Sequence, residues 1–207
     1  MKYETATCLL ALIGFASAAP TPEAKPKNVF SLPTYKLRGR EVPQEHSHNI
    51  FLDGVRTAVA LDNTLNIVDP VFGLLGNAAA AAGQGLVTNT DCLQQETADL
   101  AFTNAKKIGN VSGEVDALCY RALERNTGSV GLASVACNET AVNPEIQAVS
   151  QHQDPASANA ASINKAIVLE LAKQIASIGG NPQTALLTGT FAPGEVNCTI
   201  TYWLFLY

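Results

Sequence analysis

The sequence predicts an all-α fold: a compact bundle of several helices, fastened by disulfide bonds and preceded by a disordered arm. Beyond His48, apolar residues recur at intervals of three and four, the spacing of one helix face. The alternation of apolar and polar residues that is typical of a half-buried strand is not sustained. Asp and Asn cap helices and proline suits their first turn, so four such pairs predict helix starts: Asp69-Pro70, Asn143-Pro144, Asp154-Pro155 and Asn181-Pro182.

Composition excludes several classes of protein. A chain of 207 residues suits one domain, or at most two. With 47% apolar and only 15% charged residues, it is not a charge-driven disordered chain. A net charge of −5 gives little support for a phosphate-binding surface, so we expect no nucleic-acid partner. The 6% of aromatic residues is low for a protein that stacks against sugars or bases.

Residues 1–19 are typical of a secretory signal peptide. They combine a cationic start at Lys2, a short apolar run and small residues at the exit. The run is shorter than the roughly 20 residues that cross a bilayer, and no later stretch reaches that length. We therefore expect an exported protein without a membrane partner, located outside the cell or in the cell wall.

Two segments flank the predicted helical domain, residues 48–196. Residues 20–47 are rich in Pro and Lys, and we interpret them as a flexible arm. A pro-segment cut near Arg38–Arg40, or a tether to acidic wall polymers, is the alternative. Residues 197–207 form an apolar tail, which either packs on the bundle or does not belong to the native protein.

The first half of the domain predicts four helices. One runs from His48 to Val68, and a second begins at Pro70 and ends at the glycines after Ala82. A third opens at Thr90-Asp91, with Gln94 completing a capping box, and carries inward residues as far as Ile108. The fourth is capped by Ser112 and has a continuous apolar stripe of Val115, Leu118, Cys119, Ala122 and Leu123.

The second half predicts three more helix starts, at the last three of the proline pairs. The strongest helix has Ile163, Ile167, Leu171, Ile175 and Ile178 along one side and ends at Gly179-Gly180. The runs Ala78–Ala82 and Ala156–Ala161 predict close helix packing or, alternatively, room for a lipid.

Cysteines and glycan acceptors agree with export. Cys8 leaves with the signal peptide, and the four that remain allow three connectivities, among which the sequence alone does not choose. Three sequons are glycan acceptors in a secreted protein: Asn110, Asn138 and Asn197.

Several separated segments resemble an uncharacterised family of small secreted proteins of filamentous fungi, described as cell-wall-associated or effector-like. The likeness covers residues 61–197 and implies no catalytic residue. The segments that carry it are DCLQQETADLA at 91–101, RALERNTGSVG at 121–131, HQDP at 152–155 and TFAPG at 190–194.

The resemblance also bears on the cysteines. Relatives continue after the position of Asn197 in a polar, acidic stretch, whereas this chain has its apolar tail. Translation through an intron gives such a tail. On this hypothesis, Cys198 is not a residue of the native protein and takes no part in a disulfide. Cys119 lies on an apolar helix stripe, where a buried thiol is ordinary. The resemblance therefore favours a Cys92–Cys137 disulfide and leaves Cys119 and Cys198 unassigned.

Residues that carry chemistry are few. His46 and His48, with His152 and Asp154 as further ligands, are weak metal candidates, and we expect solvated side chains and no metal or cofactor. Carboxylates that share a helix face, chiefly Glu96 and Asp99, are weak candidates for acid–base chemistry. We interpret them as a solvated face, and we expect a structural ion pair between Asp99 and Glu124-Arg125.

These observations predict a secreted protein that is not an enzyme and has no catalytic residue. We expect it to act at the fungal wall or the host interface, with a cell-wall polysaccharide or a host extracellular protein as partner. A secreted carboxylate-dependent hydrolase and a carrier of apolar ligands remain the alternatives.

Overall fold

Residues 48–190, the part of the chain that the computed structural model describes, form six α-helices and three short 3-10 helices without any strand. The predicted all-α class is confirmed for this range. The predicted signal peptide, arm and tail lie outside it, as do His46, Asn197 and Cys198. The α-helices are α1 (Asn49–Leu61), α2 (Asn77–Ala80), α3 (Leu93–Lys107), α4 (Val111–Ala122), α5 (Pro144–Gln147) and α6 (Ala160–Ser177). The 3-10 helices are Pro70–Leu74, Thr90–Cys92 and Pro182–Thr188.

The core forms where α1 and α3 pack against α4, with α6 on a further side of α4. The apolar stripe predicted on α4 is buried throughout. Each fully buried large side chain contributes roughly 1.5–3 kcal/mol through the hydrophobic effect. The largest buried side chains include Phe51, Leu52, Phe102, Leu118, Tyr120, Leu171 and Ile175.

The first predicted helix is too long by seven residues. Helix α1 ends at Leu61 rather than Val68, because Asn63 forms a local turn. The amide of Asn63 donates to the Ile67 carbonyl at 2.9 Å, and its oxygen accepts from the Ile67 N–H at 3.0 Å. This side-chain pairing replaces the helical hydrogen bonds.

The second predicted helix is broken into two short ones. Asp69 caps Pro70–Leu74 as expected, with its carboxylate accepting from the Val71 N–H at 2.8 Å. The chain then turns at Leu75 before α2 begins. The expectation of close packing along the alanine runs is wrong, because Ala80 and Ala160 are buried whereas the other alanines of both runs are exposed.

Two predicted caps are replaced by neighbouring residues. The Asn89 side chain, not a capping box, accepts from the Asp91 N–H, while Gln94 reaches two carbonyls at the end of α4. Helix α4 is capped by Asn110, whose oxygen accepts from the Gly113 N–H, rather than by Ser112. The predicted inward position of Ile108 is also wrong, since this residue is exposed after α3 ends.

No helix starts at Asp154-Pro155. The Asp154 carboxylate instead accepts from the backbone N–H of Ala156 and from a distant loop, and α6 begins only after Asn159, whose φ is +60°. The predicted buried side of α6 is largely correct, with Ile167, Leu171 and Ile175 in the core and Ile163 exposed.

A disulfide joins Cys92 to Cys137, the pair that the resemblance favours. It ties the start of α3 to the long connection between α4 and α5. Cys119 is a free thiol, fully buried on the inner face of α4.

Candidate functional site

The connection between α4 and α5, residues 123–143, has no regular secondary structure. Connections longer than about 12–15 residues are uncommon in compact domains and are usually functional or linkers. Its central part, residues 126–136, is hereafter the 126–136 loop. It contains no charged residue.

Arg125 holds the beginning of this loop to the body of the protein. The side chain is buried, and its Nε donates to the Gly73 carbonyl at 3.1 Å. The two terminal nitrogens donate to the carbonyls of Thr90 and Asp91 and to the side chain of Asn77. Burial lowers the pKa of Arg125, and the nearby Asp91 carboxylate opposes this effect. The guanidinium thus donates to several backbone carbonyl groups at once.

Two glutamines hold the middle of the loop. The Gln151 amide donates to the Val135 carbonyl at 2.8 Å, and the Gln153 oxygen accepts from the Ser134 N–H at 2.8 Å. Gln151 also accepts from the buried Arg121 at 2.9 Å. These contacts fix the backbone of the loop from the side of α6.

Two further anchors complete the attachment. The Asp154 carboxylate accepts from the Gly131 N–H at 2.7 Å, and the disulfide holds Cys137 just beyond the loop. Gly131 has a φ of +84°, which glycine adopts without a steric cost. The loop is therefore irregular but attached at both ends and in the middle.

Three large apolar side chains of the loop are exposed. Val130, Leu132 and Val135 expose 70%, 51% and 61% of their surface. A rigid scaffold that presents an exposed loop is the usual arrangement of a binding site, and clustered exposed apolar residues mark interaction surfaces.

A groove lies on each side of the loop. The first, about 300 Å³, is lined by Asn77, Asp91, Arg125 and loop residues. The second, about 390 Å³, lies against α6 and is lined by Gln151, Ile167 and neighbouring residues. Ala133 belongs to both, so the loop forms the wall between the two grooves.

The weak acid–base candidates Glu96 and Asp99 do not form the solvated face that the sequence predicts. Glu96 is half-buried, but Asp99 is buried rather than solvated, and its carboxylate is engaged by the chain before α5. It accepts from the backbone N–H groups of Val142 and Asn143 at 2.7 and 2.9 Å and from the Asn143 amide at 2.7 Å. The predicted ion pair with Glu124-Arg125 is wrong as well, because the Arg125 guanidinium instead donates to the carbonyls of Gly73, Thr90 and Asp91.

Several ionisable groups near the core have strongly shifted pKa values, among them Asp116, Glu124 and His152. Burial raises the pKa of Asp116 to about 6 and, with the negative charge of Asp154, that of Glu124 to about 7. Burial lowers the pKa of His152 to about 4, and the nearby His48 adds to this effect. None of the three lines either groove.

The histidines do not form a metal cluster within the described residues, where no group of three or more His, Cys, Asp or Glu side chains is placed to bind an ion. The expectation of solvated side chains is wrong for His48 and His152, because both are buried. The His48 ring lies 3.2 Å from the Gly189 carbonyl. His152 is fully buried, close to the Thr188 backbone but without a hydrogen bond of normal geometry to either ring nitrogen.

Two of the three predicted glycan acceptors lie in the described range, and both are exposed. Asn110 accepts from the Gly113 N–H, and Asn138 accepts from the Asn89 amide at 3.0 Å. Each uses its side-chain oxygen, so these contacts do not occupy the amide nitrogen to which a glycan is attached.

The sequence did not point to Gln151, Gln153 or the 126–136 loop as a site. The available signal is the length of chain between Leu123 and Asn143 without apolar periodicity, of which residues 126–138 contain no charged residue. Such a stretch within a helical domain predicts an ordered loop only if buried partners hold it, and those partners are distant in sequence.

Comparison with protein-family models, curated proteins and solved structures finds no match to this chain. Within residues 48–190, every helix is too short or too polar to cross a membrane.

Proposed function

We propose that this chain is a secreted, non-enzymatic protein of the fungal wall or host interface, and that it binds its partner through the 126–136 loop. The observation that carries the proposal is the loop itself, which exposes apolar side chains and contains no charge, yet is held by a buried arginine, two glutamines and a disulfide. A loop fixed in advance loses little conformational entropy when it binds.

Export is supported by the covalent framework. Disulfides persist in oxidising compartments and are rare in the cytosol, and the Cys92–Cys137 bond closes a long stretch of chain. The exposed sequons at Asn110 and Asn138 and the signal-like residues 1–19 agree with the same route.

Binding is supported by the chemistry of the loop surface. The cores of protein interfaces are depleted in charged residues and enriched in apolar contact area, as this loop is. Glu139, just beyond it, is engaged by the Asn89 amide.

The test uses the full chain, with its leader, expressed in a filamentous fungus. The protein should appear in the medium as a disulfide-bonded species, and immobilised protein should retain material from wall polysaccharides or from host extracellular proteins. The double substitution Leu132→Ser and Val135→Ser should reduce retention at least tenfold, about 1.4 kcal/mol of binding free energy. Leu86→Ser is the matched control, because Leu86 is equally exposed but lies outside the loop.

Equal retention by the loop variant and the native chain would contradict the proposed surface. Recovery of the chain in the cytosol with its leader attached would contradict the proposed location.

A further inference from the structure

The groove of about 390 Å³ that lies against α6 is hereafter the α6 groove. Helix α6 lines it through Ile163, Ala166 and Ile167, which follow one another at the spacing of a single helix face. Ala133 of the loop and Ala158, just before the helix, add two small apolar side chains. A mostly apolar lining and a volume of about 300–1,000 Å³ are typical of small-molecule sites.

Small side chains keep the α6 groove open. Ala158 and Ala166 line it and are themselves exposed. Between them, Ile167 is only 7% exposed and belongs to the core, whereas Ile163 exposes 40% of its surface. Room for a lipid is one of the two predictions from the alanine run 156–161, and the exposure of Ala158 favours it.

The described residues that line the α6 groove include no charged side chain. Its two glutamines are already occupied by the loop. Gln151 donates to the Val135 carbonyl and to the Ser134 hydroxyl, and Gln153 accepts from the Ser134 N–H. A charged ligand would lose its hydration here without gaining a partner of opposite charge, so the lining favours a neutral ligand.

Ser157 gives the groove one polar group that no described residue engages. The residue lines the groove and is 8% exposed, and its Oγ atom has no hydrogen-bond partner within residues 48–190. Its backbone is held, since its N–H donates to the Asp154 carbonyl at 2.8 Å. The hydroxyl can rotate toward an acceptor. A buried hydroxyl without a partner is destabilising, and a hydrogen bond to a ligand removes that cost.

We propose that the α6 groove binds a neutral straight-chain lipid. The alkyl chain lies against Ile163, Ala166 and Ile167, and a hydroxyl or ester oxygen at its end forms a hydrogen bond with Ser157. Each buried CH₂ group contributes about fourfold in affinity. The site is independent of the proposed partner surface, because Leu132 and Val135 line the other groove.

The test is titration calorimetry of the secreted chain, freed of bound lipid on a hydrophobic resin. The probes are 1-octanol and 1-decanol, each below its solubility limit, and decanoate at pH 8. Two further CH₂ groups should make 1-decanol bind about fifteenfold more tightly than 1-octanol. Decanoate is ionised at this pH and should bind about tenfold more weakly than 1-decanol, because the lining offers no positive charge.

Three variants locate the site. Ala166→Phe fills the groove from an exposed position and should abolish binding of 1-decanol. Ala176→Phe is the matched control, because Ala176 is exposed on the same helix outside the groove. Ser157→Ala should weaken the binding of 1-decanol about three- to tenfold, through loss of one hydrogen bond, while the ratio between the two alcohols stays the same.

The double substitution Leu132→Ser and Val135→Ser should leave alcohol binding unchanged, which separates this test from that of the loop surface. Equal affinities for the two alcohols, unchanged binding in Ala166→Phe, or full affinity in Ser157→Ala would each overturn the lipid site. Absence of 1-decanol binding would overturn it too, and slowed hydrogen exchange at Ile163 and Ala166 with a retained protein would then assign the groove to that partner.

Discussion

Gly54 on α1 lies so close to Asp116 on α4 that the Asp116 side chain occupies the space that a Cβ at position 54 would need. A Cβ built at Gly54 would lie 2.8 Å from the Cβ of Asp116 and closer still to its carboxyl group. The two helices therefore approach each other at a glycine, and the clash involves an atom that side-chain rotation does not move.

The substitution Gly54→Ala should lower the free energy of unfolding by about 1–2 kcal/mol. Overpacking of a tight contact costs about 1–3 kcal/mol, and this outweighs the gain of up to about 1 kcal/mol from replacing a helical glycine. Urea denaturation measures the difference. Gly128→Ala is the control, because a Cβ at Gly128 meets no atom within 4 Å and should leave stability nearly unchanged. A Gly54→Ala variant as stable as the native chain would show that α1 and α4 can move apart at this contact without a cost in stability.

The carboxyl group of Asp116 should make stability depend on pH. Because burial raises its folded-state pKa to about 6, its favourable contribution is present below the unfolded-state pKa and is lost as pH rises through 6. Asp116→Asn should therefore gain stability relative to the native chain between pH 4 and pH 8. We expect about 1–2 kcal/mol, after allowance for the partial exposure of the group. A difference that stays constant over this range would contradict the burial of the carboxylate.

His152 should give the opposite dependence. Its folded-state pKa is lowered to about 4, so its contribution is complete above the unfolded-state pKa and is lost as pH falls from about 6.5 to 4. The loss should approach about 3 kcal/mol, since the ring is almost fully buried. His152→Leu introduces an apolar side chain of similar size that does not titrate, so it should remove this part of the pH dependence. Urea denaturation at about pH 6.5 and about pH 4 measures this loss. An equal loss of unfolding free energy in the native chain and the variant would show that the ring is hydrated.

The cysteines should differ in reactivity. Reduction of Cys92–Cys137 should lower the free energy of unfolding by about 2–4 kcal/mol, because the bond restricts the unfolded chain. Cys119 should resist alkylation while the protein is folded, since burial raises the pKa of its thiol far above the usual range. The intact mass after alkylation, measured with and without denaturant, shows whether Cys119 reacts only in the unfolded protein. Labelling of Cys119 in the native protein would contradict its place in the core.

The helix faces could be predicted from the sequence because they depend on local periodicity. The stripe on α4 and the buried side of α6 are examples, and so is the cap of Pro70–Leu74 by Asp69. Each of these features arises from residues within two turns of one another.

The features that could not be predicted depend on side-chain hydrogen bonds, which a pattern of apolar residues does not encode. Asn63 ends α1 early through a local turn that the periodicity does not indicate. One oxygen of Asp154 accepts from Gly131, 23 residues away. The sequence predicts Arg125 beside Asp99, but its donors meet the Gly73 carbonyl, 52 residues away, and the carbonyls of Thr90 and Asp91. A sequence pattern contains no information on which of several buried acceptors a long side chain will reach.

The most direct test of the proposed binding surface is hydrogen exchange with mass spectrometry on the secreted chain, alone and with the partner that it retains. The account predicts that the partner slows exchange most within residues 126–136, with less effect on the exposed side of α6. Slowed exchange confined to other parts of the chain, or a secreted chain that retains no partner, would contradict it.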